Sequence, residues 1–340
     1  MMMGKRIIKE TLIVIFLMLS FSGCGFWNLI GWPWSRFDRN PNLIPVVAKD
    51  GYLVLNPVWG PNNKIYYLQS SVLPETDEIE LRRINVDGSG DTFLIYGKIG
   101  HLCMSKDGEK LAIITGTFPE ETYIAEGEDS VCHLIIIDLN GKIIDTIPTS
   151  QSKIFWYEFS WTDSFIYIYY YGYGDTNGGK KGYYRINLNT FQEEFLFESD
   201  LCRGFILTST DSIIECFQSQ VNPVRNNYVI SCRGGHSEKG EGLFLHKLGT
   251  DEREDLDAVP YRYAFNRYPC WSPDGNDVVF SSAKAVGEPL RPGFYEIWIL
   301  KNVFEQIKIG GEMKKISILI CFFSLMGSVI NFKLFKTPSC

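Results

Sequence analysis

The sequence predicts an all-β protein, a β-propeller of four-stranded blades. Three observations carry this: a composition rich in strand and turn formers, one strand–turn–strand pattern that recurs along the chain, and a recurrence of blade length. Of 340 residues, 45% are hydrophobic and 14% aromatic, with 31 Gly and 15 Pro. That mixture favours strands broken by tight turns over helices.

The recurring pattern is clearest in three segments. Pro57-Val58-Trp59-Gly60-Pro61-Asn62-Asn63 runs into Lys64 to Tyr67, Leu102-Cys103-Met104-Ser105-Lys106-Asp107-Gly108 into Leu111 to Ile113, and Pro269-Cys270-Trp271-Ser272-Pro273-Asp274-Gly275 into Val278 to Phe280. Pro273 fixes φ, Asp274 bonds its own backbone and Gly275 accepts a positive φ, so each segment reads as two strands around a turn. Phe159-Ser160-Trp161 with Phe165 to Tyr169 is a weaker fourth copy, and Val221-Asn222-Pro223 with Asn227 to Ser231 a degenerate fifth. Trp59, Trp161 and Trp271 thus share one structural column.

A second half-motif follows each copy, as in Leu81 to Gly88, Leu134 to Gly141, Tyr183 to Asn189, Leu243 to Leu248 and Ile297 to Lys301. A fourth strand is expected after it at Thr92 to Tyr96, Ile143 to Ile147 and Phe304 to Ile309. Four strands over roughly 45–60 residues is the size of a propeller blade. Five blades are visible. A hairpin within Leu43 to Asn56, turning at Lys49-Asp50-Gly51, and strand-like sequence at 201–217 supply material for another. The expectation is six four-stranded blades over residues 42–309.

Trp271-Ser272-Pro273-Asp274-Gly275 resembles the repeat of TolB-like (WD-like) β-propellers, which also occurs in the propellers of prolyl oligopeptidases. Ile84 to Gly90 resembles the continuation of that repeat. The resemblance covers about residues 42–309 and implies the propeller fold. It does not extend to the N-terminal α/β domain of TolB, because only 34 residues separate Cys24 from Trp59. The hydrolase domain of prolyl oligopeptidases has no room either.

The N-terminus reads as a targeting segment. Lys5, Arg6 and Lys9 precede an apolar core, Thr11 to Leu19, which is too short to span a bilayer. Phe21-Ser22-Gly23-Cys24 follows and resembles a bacterial lipobox. Residues 1–23 are therefore expected to be a lipoprotein signal peptide, Cys24 the lipidated first residue, and 24–41 a tether. The implied place is the cell envelope, on the periplasmic side or the cell surface. The implied membrane partner is met through acyl chains on Cys24.

Residues 310–340 form an apolar tail. Met313-Lys314-Lys315 and the run Ile316 to Ile330 look like a second signal-like segment or a short membrane segment.

Residues 1–23 carry +2 and residues 313–340 carry +4, which leaves the body at −13 of a total −7. An acidic body repels phosphate backbones, so no nucleic-acid partner is expected.

No stretch spells out catalytic, metal or cofactor chemistry. Nine cysteines are present without a C-x-x-C pair, which argues against a zinc or redox site. Cys103 and Cys270 share the column of Val58 and read as buried thiols. Gly174 to Lys181 approaches a phosphate loop but has Lys181 where Ser or Thr is needed, and it joins two strands with no helix. Asp87 to Asp91 starts like a calcium loop but lacks the later Glu.

Tyr171, Tyr173 and His236 are candidate binding residues, since loop aromatics stack on sugars and anchor partners. The expected function is a lipid-anchored binding or scaffold module for an envelope protein or glycan. The alternative is a polysaccharide lyase or hydrolase with its site at the propeller centre. Some lyases that resemble this repeat family use His with a metal there, so His101, His133, His236 and His246 would have to converge.

Overall fold

The computed structural model describes residues 40–71, 79–115, 133–148, 159–161, 164–170, 182–198, 205–207, 213–215, 219–233, 240–250, 253–256, 264–286 and 291–305. The chain divides before Asn40, and the Met1–Arg39 unit holds none of them. The signal peptide, Cys24, most of the tether and the apolar tail therefore lie outside the described residues. So do Tyr171, Tyr173, His236 and the Gly174 to Lys181 loop. Among the described residues no helix is long and apolar enough to cross a membrane.

The first strand, β1 (Leu43–Val47), stands apart from the strands that follow it. Blade I is β2 (Tyr52–Gly60), β3 (Lys64–Ser71), β4 (Ile79–Asn85) and β5 (Thr92–Gly97). Blade II is β6 (Ile99–Met104), β7 (Lys110–Thr115), β8 (His133–Asp138) and β9 (Ile143–Pro148). Blade III is β10 (Phe159–Trp161), β11 (Phe165–Tyr170), β12 (Gly182–Asn187) and β13 (Glu193–Glu198).

A two-stranded sheet follows, β14 (Phe205–Leu207) with β15 (Ile213–Glu215). Blade IV is β16 (Ser219–Val221), β17 (Tyr228–Arg233), β18 (Gly240–Lys247) and β19 (Arg253–Asp255). Blade V is β20 (Ala264–Trp271), β21 (Val278–Val286) and β22 (Arg291–Leu300), completed by β1. The five copies read in the sequence are these five four-stranded blades. Where six four-stranded blades were expected, the described residues add a two-stranded sheet, and β14 lies beside β16.

The closure departs from the sequence reading. A hairpin was expected within Leu43 to Asn56, and a fourth strand at Phe304 to Ile309. The chain does turn at Lys49, whose carbonyl accepts the Tyr52 N–H at 3.3 Å. Yet the strands on either side join different blades. β1 pairs antiparallel with β22, Leu43 opposite Leu300 and Ile44 opposite Ile299. After β22 the chain makes one helical turn, Val303 to Glu305.

Pairing the first strand with the last blade removes an open strand edge and joins distant parts of the chain. A half-buried network pins the turn. Lys49 Nζ donates to Asp91 Oδ2 (2.6 Å) and Gln69 Oε1 (2.8 Å), while Arg82 Nε (3.0 Å) and the Tyr67 hydroxyl (2.8 Å) donate to Asp91 Oδ1. Burial opposes ionisation of Asp91, but the hydrogen bonds from Arg82, Lys49 and Tyr67 hold its carboxyl below the usual range.

The turns follow the residues that form them. Ser272 Oγ donates to Asp274 Oδ1 (2.5 Å) and accepts the Asp277 N–H (2.9 Å). Ser105 repeats this with Asp107 Oδ1 (2.6 Å) and the Lys110 N–H (2.9 Å). Gly275 and Gly108 take positive φ in these turns. Blade I turns differently. Asn62 and Asn63 are both left-handed and the Lys64 N–H bonds the Pro61 carbonyl, the tight hairpin turn whose twist matches paired strands.

The apolar core lies between blades. One cluster joins blades V, I and II, a second blades IV and V, and a third blades II and III. The backbone N–H of each column tryptophan bonds the preceding blade: Trp59 to Cys270 Sγ (3.3 Å), Trp161 to Cys103 Sγ, and Trp271 to Gln220 Oε1 (2.5 Å). Cys103 and Cys270 are free thiols, and each also donates to the next carbonyl in its strand at 3.6 Å. Burial pushes Cys103 up to about 12 and Cys270 up to about 11. Both thiols are therefore held protonated and tie neighbouring blades.

Candidate functional site

The tryptophan column treats its three indoles unequally. Trp59 is 5% exposed, with Lys301 Nζ over its ring at 5.5 Å. Trp271 is 3% exposed; its ring stacks on Phe304 (5.8 Å between centroids, 12° between planes) and its Nε1–H donates to the Gln220 carbonyl at 3.1 Å. Phe304 is capped in turn by the Arg225 guanidinium at 4.1 Å. Trp161 is only half-buried. It lines a groove of about 280 Å³ between blades II and III.

Blade II contributes Ser105, Lys106, Asp107 and Lys110 from its first hairpin, and Ile144 and Asp145 from β9. Blade III contributes Trp161 and the β12–β13 turn, with Leu188, Asn189 and Phe191. Asp107 is well suited to accept further hydrogen bonds. The Ser105 hydroxyl and the Glu109 N–H already bond one of its oxygens and hold the carboxyl below its ordinary range. Asp145, on the outer strand, is half-buried, and its Oδ1 accepts the Thr146 N–H at 2.8 Å.

Phe191 breaks the local rule. Sister turns place Gly88 and Gly141 in the left-handed region, at φ 81° and 87°. Blade III has a turn one residue longer, and there Phe191 takes φ 54° with its N–H on the Asn187 carbonyl at 2.7 Å. Its side chain is 41% exposed. A bulky residue in this region is strained by about 1–2 kcal/mol. Such outliers gather where a structure uses them.

A second polar cluster sits where the inner strands meet. Asn56, His101 and Tyr268 occupy one column of blades I, II and V, each at a bulge in its inner strand. Asn56 and Tyr268 are left-handed, at φ 51° and 54°. Asn56 Nδ2 lies 2.8 Å from His101 Nδ1, and the Tyr268 ring meets the imidazole edge-on at 5.5 Å. Burial pushes His101 down to about 4, so its ring is neutral. An amide nitrogen can only donate, so Nδ1 accepts and Nε2 carries the proton.

The repeat-motif residues Trp59, Trp161, Trp271, Pro273, Asp274 and Gly275 stand in the turns and inter-blade contacts just described. The three histidines among the described residues stand on three different strands. His101 is on the inner strand of blade II, and His246, on blade IV, bonds the Ser231 hydroxyl at 2.7 Å. His133 begins β8, and His236 lies outside the described residues. Among the described residues no three His, Cys, Asp or Glu side chains gather where a metal could be held.

Sequence reasoning missed Phe191 and Asp145 and left His101 unassigned. The signal for Phe191 was present as Asn189-Thr190-Phe191, where sister turns read Asp87-Gly88 and Asn140-Gly141.

No family model and no curated protein matches the chain. Solved structures are similar to it at low identity. The β-propeller domain of the trilobed protease from Pyrococcus furiosus is 12% identical, with 73% of this chain and 81% of that chain covered and a TM-score of 0.43. The acylaminoacyl peptidase of Pyrococcus horikoshii is 11% identical, with 72% and 44% covered and a TM-score of 0.42. The oligogalacturonate lyase of Vibrio parahaemolyticus is 12% identical, with 75% and 79% covered and a TM-score of 0.40. Its own five four-stranded blades, the last completed by the first strand, make the chain a β-propeller.

Proposed function

We propose that this chain is a cell-envelope binding module. In this reading, acyl chains on Cys24 hold the propeller at a membrane, and the groove between blades II and III receives a protein or glycan partner. One observation carries it: a repeat position covered by Lys301 in blade I and by Phe304 in blade V lines an open groove in blade III, beside a strained and exposed Phe191. Aromatic side chains held in a partly dry recess among polar groups are the usual anchors of recognition sites.

The tether rests on Lys5, Arg6 and Lys9, the apolar core that follows, and Phe21-Ser22-Gly23-Cys24. Mass spectrometry of the mature protein tests that part, with cleavage before Cys24 and added acyl mass as the expected result.

The groove is tested with full-length protein, purified in detergent, as bait for solubilised envelopes. A reproducible partner is expected, and Phe191→Gly should weaken its retention. Equal retention by the variant would remove the groove from the reading. Reproducible recovery of nothing would remove the binding function itself.

A further inference from the structure

The groove's lining names a class of ligand. Two lysines, Lys106 and Lys110, stand with two aspartates, Asp107 and Asp145, around two aromatic rings. Their charges cancel. A polyanion would find no net attraction there, and the surrounding body carries −13. The core of a protein interface is depleted of charged residues, whereas this recess has four around its rings.

Its volume, about 280 Å³, is near the lower end for small-ligand sites, about 300 Å³. It would admit a ring or two but not a packed helix. The rest of the column shows what lies against such an indole, a flat ring in blade V and a compact polar head in blade I. A pyranose combines both features, with a C–H face for the indole and a rim of hydroxyls. Carboxylates accept from hydroxyls, and ammonium groups donate to them.

Resting on the binding-module reading above, we propose that the groove between blades II and III binds a neutral saccharide. A sugar face lies on Trp161 beside Phe191, and its hydroxyls bond Asp107, Asp145, Asn189 and the two lysines.

The test uses full-length protein in detergent and two aliquots of solubilised envelope, one digested with a broad protease and one oxidised with periodate, which cleaves vicinal diols. Neutral carbohydrate retained from the digested aliquot and lost from the oxidised one is the expected result. That retention should persist in 0.5 M NaCl, because no ion pair drives it. Phe191→Gly should lower it about tenfold, the loss of one aromatic contact, and Trp161→Phe should lower it less.

Capture that is destroyed by protease, survives periodate and still depends on Phe191 would overturn the saccharide assignment and leave a protein-docking groove. Capture abolished by salt would overturn the claim of neutrality. Carbohydrate held equally by the wild type and by Phe191→Gly would overturn the groove as its site.

Discussion

Blades III and V carry the same repeat and use it differently. In blade V the column indole is sealed: Trp271 stacks on Phe304, and Gln220 binds both its backbone and its ring N–H. In blade III the equivalent Trp161 keeps the backbone tie to the preceding blade but forms a groove wall. The backbone tie belongs to the fold; the cover over the ring is optional. Where the chain supplies the cover, the position contributes stability. Where the described residues supply none, as in blade III, the ring lines a groove.

The largest expected effect tests that difference directly. Trp271→Ala should destabilise by about 3–5 kcal/mol, the usual range for emptying a buried aromatic site. Trp161→Ala should lose only about 1–2 kcal/mol, since less apolar area leaves water on folding. Urea midpoints at constant m-value measure both. Equal losses would break the comparison.

The inner cluster that reaches blade V sharpens it through pH. The imidazole of His101 has a folded pKa of about 4 against an ordinary 6.5. Below 6.5 the unfolded chain takes up a proton that the folded chain refuses. Stability is therefore full above 6.5 and falls as pH drops towards 4, by up to about 3 kcal/mol from this residue. The difference between wild type and His101→Gln, followed across that window, isolates the contribution. A parallel profile for the two proteins would show that His101 is not held neutral.

Gly275→Ala comes next. The residue sits at φ 69°, and an added Cβ would lie 2.5 Å from Asn222 Oδ1, in the amide that also donates to the Gly275 carbonyl. A loss of about 1–3 kcal/mol by thermal melting is expected from strain and a disturbed buried hydrogen bond.

The smallest effect has the opposite sign. Phe191→Gly relieves a left-handed phenylalanine but gives up some unfolded-state restriction, so stability should stay level or rise by up to about 1 kcal/mol. A clear loss by chemical denaturation would show that Phe191 is a packing residue of blade III, and the contrast with blade V would weaken.

Much of this fold was legible because its signals are local. Ser272-Pro273-Asp274-Gly275 closes its turn within five residues, and Ser105 to Gly108 does the same. Val58, Cys103 and Cys270 were readable as one small-residue column. Their thiol ties to the next blade's backbone were not, since Trp59 and Cys270 are 211 residues apart. Phe191 was hidden for a related reason: alignment shows a residue replacing glycine, but only the fold shows that its ring stays exposed beside Trp161.

By itself the sequence determined the all-β class, five repeat units, the turn chemistry and the shared tryptophan column. Each follows from propensity and from hydrogen bonds between residues close in the chain. Only the tertiary structure decided that β1 completes blade V, that Lys301 and Phe304 cover two indoles, and that Trp161 opens onto a groove. A strand's edges and a ring's faces accept many partners, and which one arrives depends on how the blades pack.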